Sequence, residues 1–230
     1  MHFNKTLIPA TLIRRYKRFL ADVTLTDGRE VTAHVANPGS MLGMNTAGLR
    51  VWLEQNNDPK RKLKYSWKLA EMNDGTFIGV DTSLPNKIVA ESLRNDAIPE
   101  LQYANVKPEV KYGENSRVDF LLTQNGKRDC YLEVKSVTLS RRNALAEFPD
   151  SVTKRGAKHM AELAGMVEQG HRAVLLYLVQ RNDVNSFAVA GDIDPEYLRA
   201  FTNAKNAGVE VLCYGARISN EGIWLDEKIV

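Results

Sequence analysis

Arg117-Val118-Asp119-Phe120, a short turn, and Leu132-Glu133-Val134-Lys135 decide how this chain of 230 residues is read. Phe120, Leu121 and Leu122 run apolar, as do Tyr131, Leu132, Val134 and Val137, and such runs mark a buried strand pair. Asn125-Gly126 between them is a strong short-range hairpin signal. A two-residue loop at Asn125-Gly126 sets Asp119 opposite Leu132; a three-residue loop from Asn125 to Lys127 sets it opposite Glu133. In both registers the two carboxylates are neighbours across the hairpin. Residues two apart on a strand share a face, so Glu133 and Lys135 point one way and Leu132, Val134 and Ser136 the other. One face of a core hairpin therefore carries Asp, Glu and Lys together.

Two carboxylates held close repel, and each loses hydration on burial. A divalent cation removes the conflict. Mg²⁺ or Mn²⁺ takes oxygen ligands and Mg²⁺ keeps several waters, so Asp119, Glu133 and the backbone carbonyl of Val134 are candidate metal ligands. Lys135 then faces an attacking water or a phosphate oxygen. The chemistry that suits this set is metal-assisted phosphodiester hydrolysis, with Asp119, Glu133 and Lys135 as the catalytic candidates. The alternative is an ordinary Glu133–Lys135 ion pair on an exposed sheet face. Asp119 at hairpin distance and the strongly apolar flanks count against it.

Ser116-Arg117-Val118-Asp119 followed by Glu133-Val134-Lys135 is similar to the D…(D/E)-x-K signature of the PD-(D/E)XK nuclease superfamily, with Val118 where a Pro would stand. A longer string is more specific. It runs Tyr131-Leu132-Glu133-Val134-Lys135-Ser136-Val137-Thr138-Leu139, then Phe148-Pro149-Asp150-Ser151-Val152-Thr153, then Arg155-Gly156 and Lys158-His159. With Asn37-Pro38-Gly39-Ser40-Met41 upstream, it resembles the sugar fermentation stimulation protein family of bacteria and archaea. The resemblance covers nearly the whole chain. It implies an N-terminal OB-like barrel, a nuclease-like C-terminal domain and DNA binding. The superfamily often adds an acid from the helix before the sheet to its metal site, which makes Glu91 a candidate ligand; the alternative is a surface glutamate on an amphipathic helix.

Composition narrows the class. Apolar residues make up 43% of the chain, enough for a real core. A mean hydropathy of −0.34 and the lack of any apolar run near about 18 residues exclude a membrane-spanning helix. Met1 to Pro9 lacks the apolar stretch of a signal peptide. Cys130 and Cys213 sit in apparent strands and read as small buried residues, not a disulfide or zinc framework. A cytoplasmic location is the expectation. Net charge is +3, from 31 basic and 28 acidic residues, but residues 1–82 hold 12 basic and 8 acidic ones. The excess sits in Arg14-Arg15-Tyr16-Lys17-Arg18 and Lys60-Arg61-Lys62-Leu63-Lys64.

Residues 1–82 read as β. Phe19 to Thr26 and Arg29 to Val35 flank an Asp27-Gly28 turn; Leu49 to Leu53, Tyr65 to Met72 and Phe77 to Val80 follow. Five short strands without a long helix predict a small OB-like β-barrel, a fold that binds oligonucleotides through positive grooves and aromatic platforms. Arg14, Arg15, Lys17 and Arg18 are candidate nucleic-acid contacts, with Tyr16, Trp52, Tyr65 and Trp67 nearby; the alternative puts the tryptophans in the core. Asn37, Gly39 and Ser40 form a turn by composition. Its backbone N–H groups could hold a phosphate, or it is a plain turn; the family resemblance favours the phosphate.

Residues 83–230 read as mixed α/β. Pro85 opens a helix through Arg94, with Ile88, Val89 and Leu93 on one face. Val106 to Tyr112 is an edge strand containing Pro108. Ser140 to Asp150 reads as a loop, and Thr153 to Gln169 as a helix with Ala157, Met160, Ala161, Ala164 and Val167 as its buried stripe. Arg155, Lys158 and His159 lie off that stripe and are candidates to face a scissile phosphate, although Lys158 could simply pair with Glu162. Ala173 to Val179 is a covered strand. A helix from Asp194 to Ala207, a strand from Val209 to Tyr214 and a terminal strand or tail from Ile218 to Leu225 complete the chain. The order predicts a PD-(D/E)XK, restriction-endonuclease-like α/β domain with a mixed central sheet.

The expected function is DNA binding with little sequence preference, at a Mg²⁺- or Mn²⁺-dependent nuclease-like site. Backbone contacts would come from the barrel and from Arg117, Arg155, Lys158 and His159. A non-catalytic DNA-binding regulator of sugar-metabolism genes, built on the same scaffold, is the alternative. An enzyme for a small phosphorylated or nucleotide substrate ranks last, because no Walker or dinucleotide glycine pattern is present. The strandedness of the DNA and the oligomeric state, a homodimer included, stay open.

Overall fold

The computed structural model describes residues 1–113 and 116–229. The first six strands are β1 (Ile8–Tyr16), β2 (Leu20–Leu25), β3 (Glu30–Val35), β4 (Arg50–Gln55), β5 (Tyr65–Glu71) and β6 (Phe77–Gly79). β1 pairs antiparallel with β2 and β4, β2 with β3, and β4 with β5; a parallel β3–β5 pairing closes the ring. Period-2 alternation explains the closure: Ala21, Val23 and Leu25, then Ala33 and Val35, then Val51 and Leu53 all face one barrel core. The expected five-stranded OB barrel is present, but its strands are β1–β5. Arg14-Arg15-Tyr16 reads as a basic cluster and masks β1 in the sequence, although Ala10 and Leu12 turn inward. β6 adds to β5 outside the ring. Trp67 and Tyr65 are buried in the barrel, and Trp67 Nε1 donates to the Leu69 carbonyl at 2.8 Å. Neither is an exposed stacking platform.

The remaining elements are α1 (Leu84–Arg94), β7 (Asn105–Tyr112), β8 (Ser116–Thr123), β9 (Cys130–Val137), β10 (Leu139–Arg142), β11 (Ala144–Phe148), α2 (Lys154–Glu168), β12 (Arg172–Val179), β13 (Val184–Val189), α3 (Pro195–Asn206), β14 (Glu210–Ser219) and β15 (Gly222–Lys228). The main sheet runs β15-β14-β12-β9-β8-β7. β12 is parallel to both β9 and β14, and the other pairings are antiparallel, so the sheet is mixed as expected. Leu84, Ile88, Val89 and Leu93 of α1 share a core with Leu132 and Val134. Met160 and Leu163 of α2 and Tyr197 of α3 pack in a second core with Val137 and Tyr177. Helices thus cover both faces, which is why β12 is apolar almost throughout. Cys130 and Cys213 are buried free thiols. Among the described residues no helix is long and apolar enough to cross a membrane.

Two expectations need correction. Residues 140–150 are not a loop: β10, β11 and β13 form a small separate sheet. The hairpin gives little apolar signal because one of its buried positions is Glu147, 1% exposed, held by Arg141 at 2.8 Å and Arg142 at 3.0 Å. The buried side of α2 is Gly156, His159, Met160, Leu163 and Met166, whereas Ala161 faces solvent. Polarity alone places a histidine outward, and this one turns inward.

The barrel docks on the α/β domain at several points. The Gly79 amide donates to the Gln180 carbonyl at 2.9 Å, and Ile78 bridges Arg181. His2 bridges Gly222 of β15, and the Met1 amine donates to the Ile223 carbonyl at 2.8 Å.

The Glu147 cluster predicts a pH dependence. Bonds from Arg141, then Arg142, outweigh burial and lower the Glu147 carboxyl from 4.5 to about 2. A depressed value means the stabilisation is complete above about 4.5 and is lost as pH falls toward 2. Urea unfolding should therefore show wild type losing stability across that window more steeply than Glu147→Gln. Parallel losses would mean the cluster contributes nothing to acid sensitivity.

Candidate functional site

The β8–β9 ladder runs only from Leu122↔Cys130 to Phe120↔Leu132. Continued by one residue, this register sets Asp119 level with Glu133, the outcome expected of the longer loop. The connection itself spans Gln124 to Asp129, with a turn closed by the Lys127 amide on the Gln124 carbonyl at 3.1 Å. Where the ladder stops, the Asp119 side chain reaches across. Its Oδ2 accepts the Val134 amide at 2.7 Å and its Oδ1 accepts Asn86 Nδ2, also at 2.7 Å.

Glu133 is 3% exposed. Its Oε1 accepts from Lys135 Nζ at 2.6 Å and is bonded by Nδ1 of His159. Its Oε2 is buried with no partner among the described residues. The Arg155 Nε–H donates to His159 Nε2 at 3.2 Å, so a neutral ring carries its proton on Nδ1 and donates it to Glu133. Burial, and then the Glu133 charge, push the Asp119 carboxyl up to about 6 against the bonds it accepts. Burial acts the same way on Glu133, but the bonds from His159 and Lys135 win and hold its carboxyl below the ordinary value. One acid is kept ionised, and its neighbour is left marginal.

These groups line a cavity of about 480 Å³, within the range of small-ligand sites. Asp119, Glu133, Val134 and Lys135 come from the sheet, Asn86 from α1, and Arg155 and His159 from α2. Arg18, Asn37, Pro38 and Gly39 of the barrel form the facing wall. Among the described residues no group of three or more His, Cys, Asp or Glu converges as a metal cage. The protein share for an ion would be two carboxylates and a backbone carbonyl, a set that suits a hard cation retaining waters. The partnerless Oε2 of Glu133 is the donor left over, so the residues present fit such an ion.

Other expected residues are elsewhere. Glu91 is not at the site: its carboxylate lies 3.1 Å from the Met1 amine. It follows Asn86 by five residues, about 140° round the helix, and Asn86 takes the place on α1 where an acid was expected. Arg117 is exposed beside Lys111, Tyr112 and Gly113, away from the cavity. Lys158 forms an ion pair with Glu162 at 3.5 Å and lies between α2 and α3 near Lys154 and Arg199. Arg14 pairs with Asp22 at 2.9 Å. His159 lines the cavity, but both ring nitrogens are engaged by protein, which makes it a positioning residue.

The Asn37–Met41 turn does hold an anion, and that anion belongs to the chain. The Met41 amide donates to Asp150 Oδ2 at 3.1 Å, and Ser40 Oγ donates to the Asp150 carbonyl at 2.8 Å. A Cβ on Gly39 would overlap the Asp150 carboxylate, so a larger residue would have to displace this contact. Asn37 is buried, donating Nδ2 to the Val80 carbonyl and accepting the Gly39 amide on Oδ1. Arg15 donates to the carbonyls of Arg18, Asn37 and Gly39 at 2.8, 2.9 and 3.0 Å. Asn37, Ser40 and Arg15 are therefore occupied in building the wall. Asn86 and Asp150 are the residues sequence reasoning missed. Asp150 lies inside the Phe148–Thr153 string, but nothing local marks it as the turn's partner.

The family profile described as the sugar fermentation stimulation protein RE domain matches residues 83–222, and that of the SfsA N-terminal OB domain matches residues 13–80. A sugar fermentation stimulation protein homolog from Ruegeria pomeroyi is 60% identical over 230 residues, covering 100% of both chains. Another from Roseobacter denitrificans is 59% identical over 225 residues, covering 97% of this chain and 96% of that one. Among solved structures, that of Pyrococcus furiosus SfsA in complex with Ca²⁺ matches with a TM-score of 0.89 at 26% identity, covering 100% of this chain and 96% of that one. With both halves matched and close relatives aligned along its whole length, the chain belongs to the sugar fermentation stimulation protein family.

Proposed function

We propose that the protein binds DNA and that the Asp119–Glu133–Lys135 cavity is a divalent-metal-dependent phosphodiester-hydrolysing site. The observation that carries this reading is the partnerless buried Oε2 of Glu133 in the same cavity as an Asp119 carboxyl pushed up to about 6. A buried acid pair under this tension is relieved by a cation. Asp119, Glu133 and the Val134 carbonyl would hold Mg²⁺ or Mn²⁺. The Pyrococcus furiosus relative was solved with Ca²⁺, a hard cation of the same oxygen-seeking kind, and this supports the reading. When bound, such an ion supplies Lewis-acid polarisation of a phosphoryl oxygen and acidifies a coordinated water.

The chain's own residues do the positioning. Lys135, anchored on Glu133 at 2.6 Å, places a cation where charge develops on a phosphate. His159 orients Glu133, Arg155 fixes the His159 ring, and Asn86 orients Asp119. Arg18 and Arg155 line the same cavity and offer contacts to the sugar–phosphate backbone. Such contacts give salt-sensitive binding with little sequence preference.

One observation favours the second reading, a DNA-binding regulator without turnover. Both Asp119 oxygens and Oε1 of Glu133 already have protein partners, so most of the site is satisfied without an ion. Labelled single- and double-stranded DNA incubated with Mn²⁺ separates the two. On the hydrolytic reading, Asp119→Asn cuts roughly 100-fold or more slower than wild type. Mn²⁺ should also raise the melting temperature of wild type but not that of the variant. Equal background cleavage by both proteins would leave the regulator.

The positioning role of His159 is testable without any substrate. His159→Ala leaves buried Glu133 with Lys135 alone and should cost about 1–3 kcal/mol in urea unfolding. His159→Gln, which keeps a side-chain donor, should recover part of that. A variant as stable as wild type would remove His159 from the account.

A further inference from the structure

The connection between β1 and β2 is built against backbone preference. Tyr16 pairs with Leu20, leaving Lys17, Arg18 and Phe19 as the turn. Lys17 and Arg18 have φ of 47° and 63°, the left-handed region that glycine occupies with least strain. The Phe19 amide reaches back to the Lys17 carbonyl at 2.8 Å, closing a γ-turn around Arg18, a rare form when the central φ is positive. Strain of this kind persists where the surrounding structure over-determines it, and it clusters at functional sites.

The turn is also held in place. Arg18 donates Nε and Nη2 to the Pro38 carbonyl at 3.3 and 2.9 Å and lines the carboxylate cavity. Arg15 ties the Arg18 carbonyl to the Asn37–Gly39 loop, and Asp150 latches that loop to the α/β domain. The wall is thus one braced piece that carries Arg18 to the cavity, with Lys17 exposed beside it in the turn.

Its loops also expose large apolar side chains. Among the described residues the exposed large hydrophobic side chains are Phe19, Leu42, Val152 and Leu198, at 45, 51, 68 and 39%. Phe19 adjoins Arg18, Leu42 adjoins the latch residue Met41, and Val152 lines the cavity. Phe19 and Leu42 therefore belong to the loops of this wall, and Val152 lies on the α/β side of the same cavity. Cations beside an exposed aromatic ring suit a single nucleic-acid strand, whose backbone takes the charge and whose bases stack on the ring. In a duplex the bases are already stacked on one another and are not offered to Phe19.

We propose that the Lys17–Phe19 turn is a single-stranded-DNA subsite of the cavity, with Lys17 and Arg18 on the phosphates and Phe19 stacking an unpaired base. The proposal rests on the DNA-binding reading and adds strandedness to it. Fluorescence anisotropy with the full chain tests it, using a labelled oligo-dT of roughly 20 nucleotides and a duplex of the same length, without divalent metal so that no cleavage intervenes. Wild type should bind the strand more tightly than the duplex. Phe19→Ala should weaken strand binding about tenfold and leave duplex binding and the melting temperature unchanged. Lys17→Gly should weaken strand binding about two- to fivefold while melting no lower than wild type, because glycine relieves the φ strain. If Phe19→Ala binds the strand like wild type, the subsite is wrong and the DNA-binding reading stands. If wild type binds neither oligonucleotide, both fall.

Discussion

A carboxylate buried in the middle of a sheet must be given partners or lose its charge, and the partners of Glu133 dictate how the second domain is packed. Lys135 comes from the same strand at no topological cost. His159 comes from α2, so α2 has to lie with its first two turns against β9. The helix start is arranged for this. Thr153 caps it by accepting the Gly156 amide at 3.0 Å, and the Thr153 amide is held by Asp194 at 2.8 Å. Asp194 in turn caps α3 through the Tyr197 amide at 2.9 Å. A Cβ on Gly156 would come within 3.0 Å of Tyr197 and closer still to Thr153, so a glycine stands where the two helix starts meet. The seat of one imidazole is thus fixed by the caps of two helices.

Asp119 is held from the other side. The Val134 amide and Asn86 of α1 take its two oxygens, and α1 covers the opposite face of the sheet from α2. The site therefore sits where the β8–β9 ladder ends and both helical layers reach the same pair of acids. Different partners push the two carboxyls apart in acidity: the bonds from His159 and Lys135 keep Glu133 ionised, while Asp119, with only neutral donors on its oxygens, yields to burial. Pairs of titratable groups separated in this way are a mark of sites that do chemistry.

Much of this is legible in the residues. The period-2 spacing of Glu133 and Lys135 and the hairpin that brings Asp119 level with them are enough to predict three chemical groups in one place, and all three line one cavity. The barrel's alternation and the covered strand at β12 are equally plain. What escapes shares one cause. His159 reads as solvent-facing, Glu147 as part of a loop and Asn37–Ser40 as a phosphate turn, because each is a polar group whose partner lies away in the sequence or in an element that the pattern does not reveal. His159 meets Glu133 across 26 residues, and Ser40 meets Asp150 across 110. Hydrophobic periodicity carries no signal for such pairs. Glu91 fails for the converse reason: residue type favours an acid on the expected helix, whereas the helix turns Asn86 toward Asp119.

The Asp150 latch changes what the barrel can contribute. A turn whose Met41 N–H and Ser40 hydroxyl already hold a carboxylate has little left for a phosphate, and Gly39 leaves room for that carboxylate to approach. The barrel's part in any nucleic-acid contact therefore shifts from backbone amides to the side chains of the adjacent β1–β2 turn. That turn is braced, since Arg15 donates to four carbonyls of the wall, Arg18's among them. The cavity is then lined by the Asp119 and Glu133 carboxylates together with the cations Lys135, Arg18 and Arg155. A bare acidic pocket would repel a phosphodiester. This mixed lining lets the basic side chains attract the backbone while the acid pair is kept for a cation.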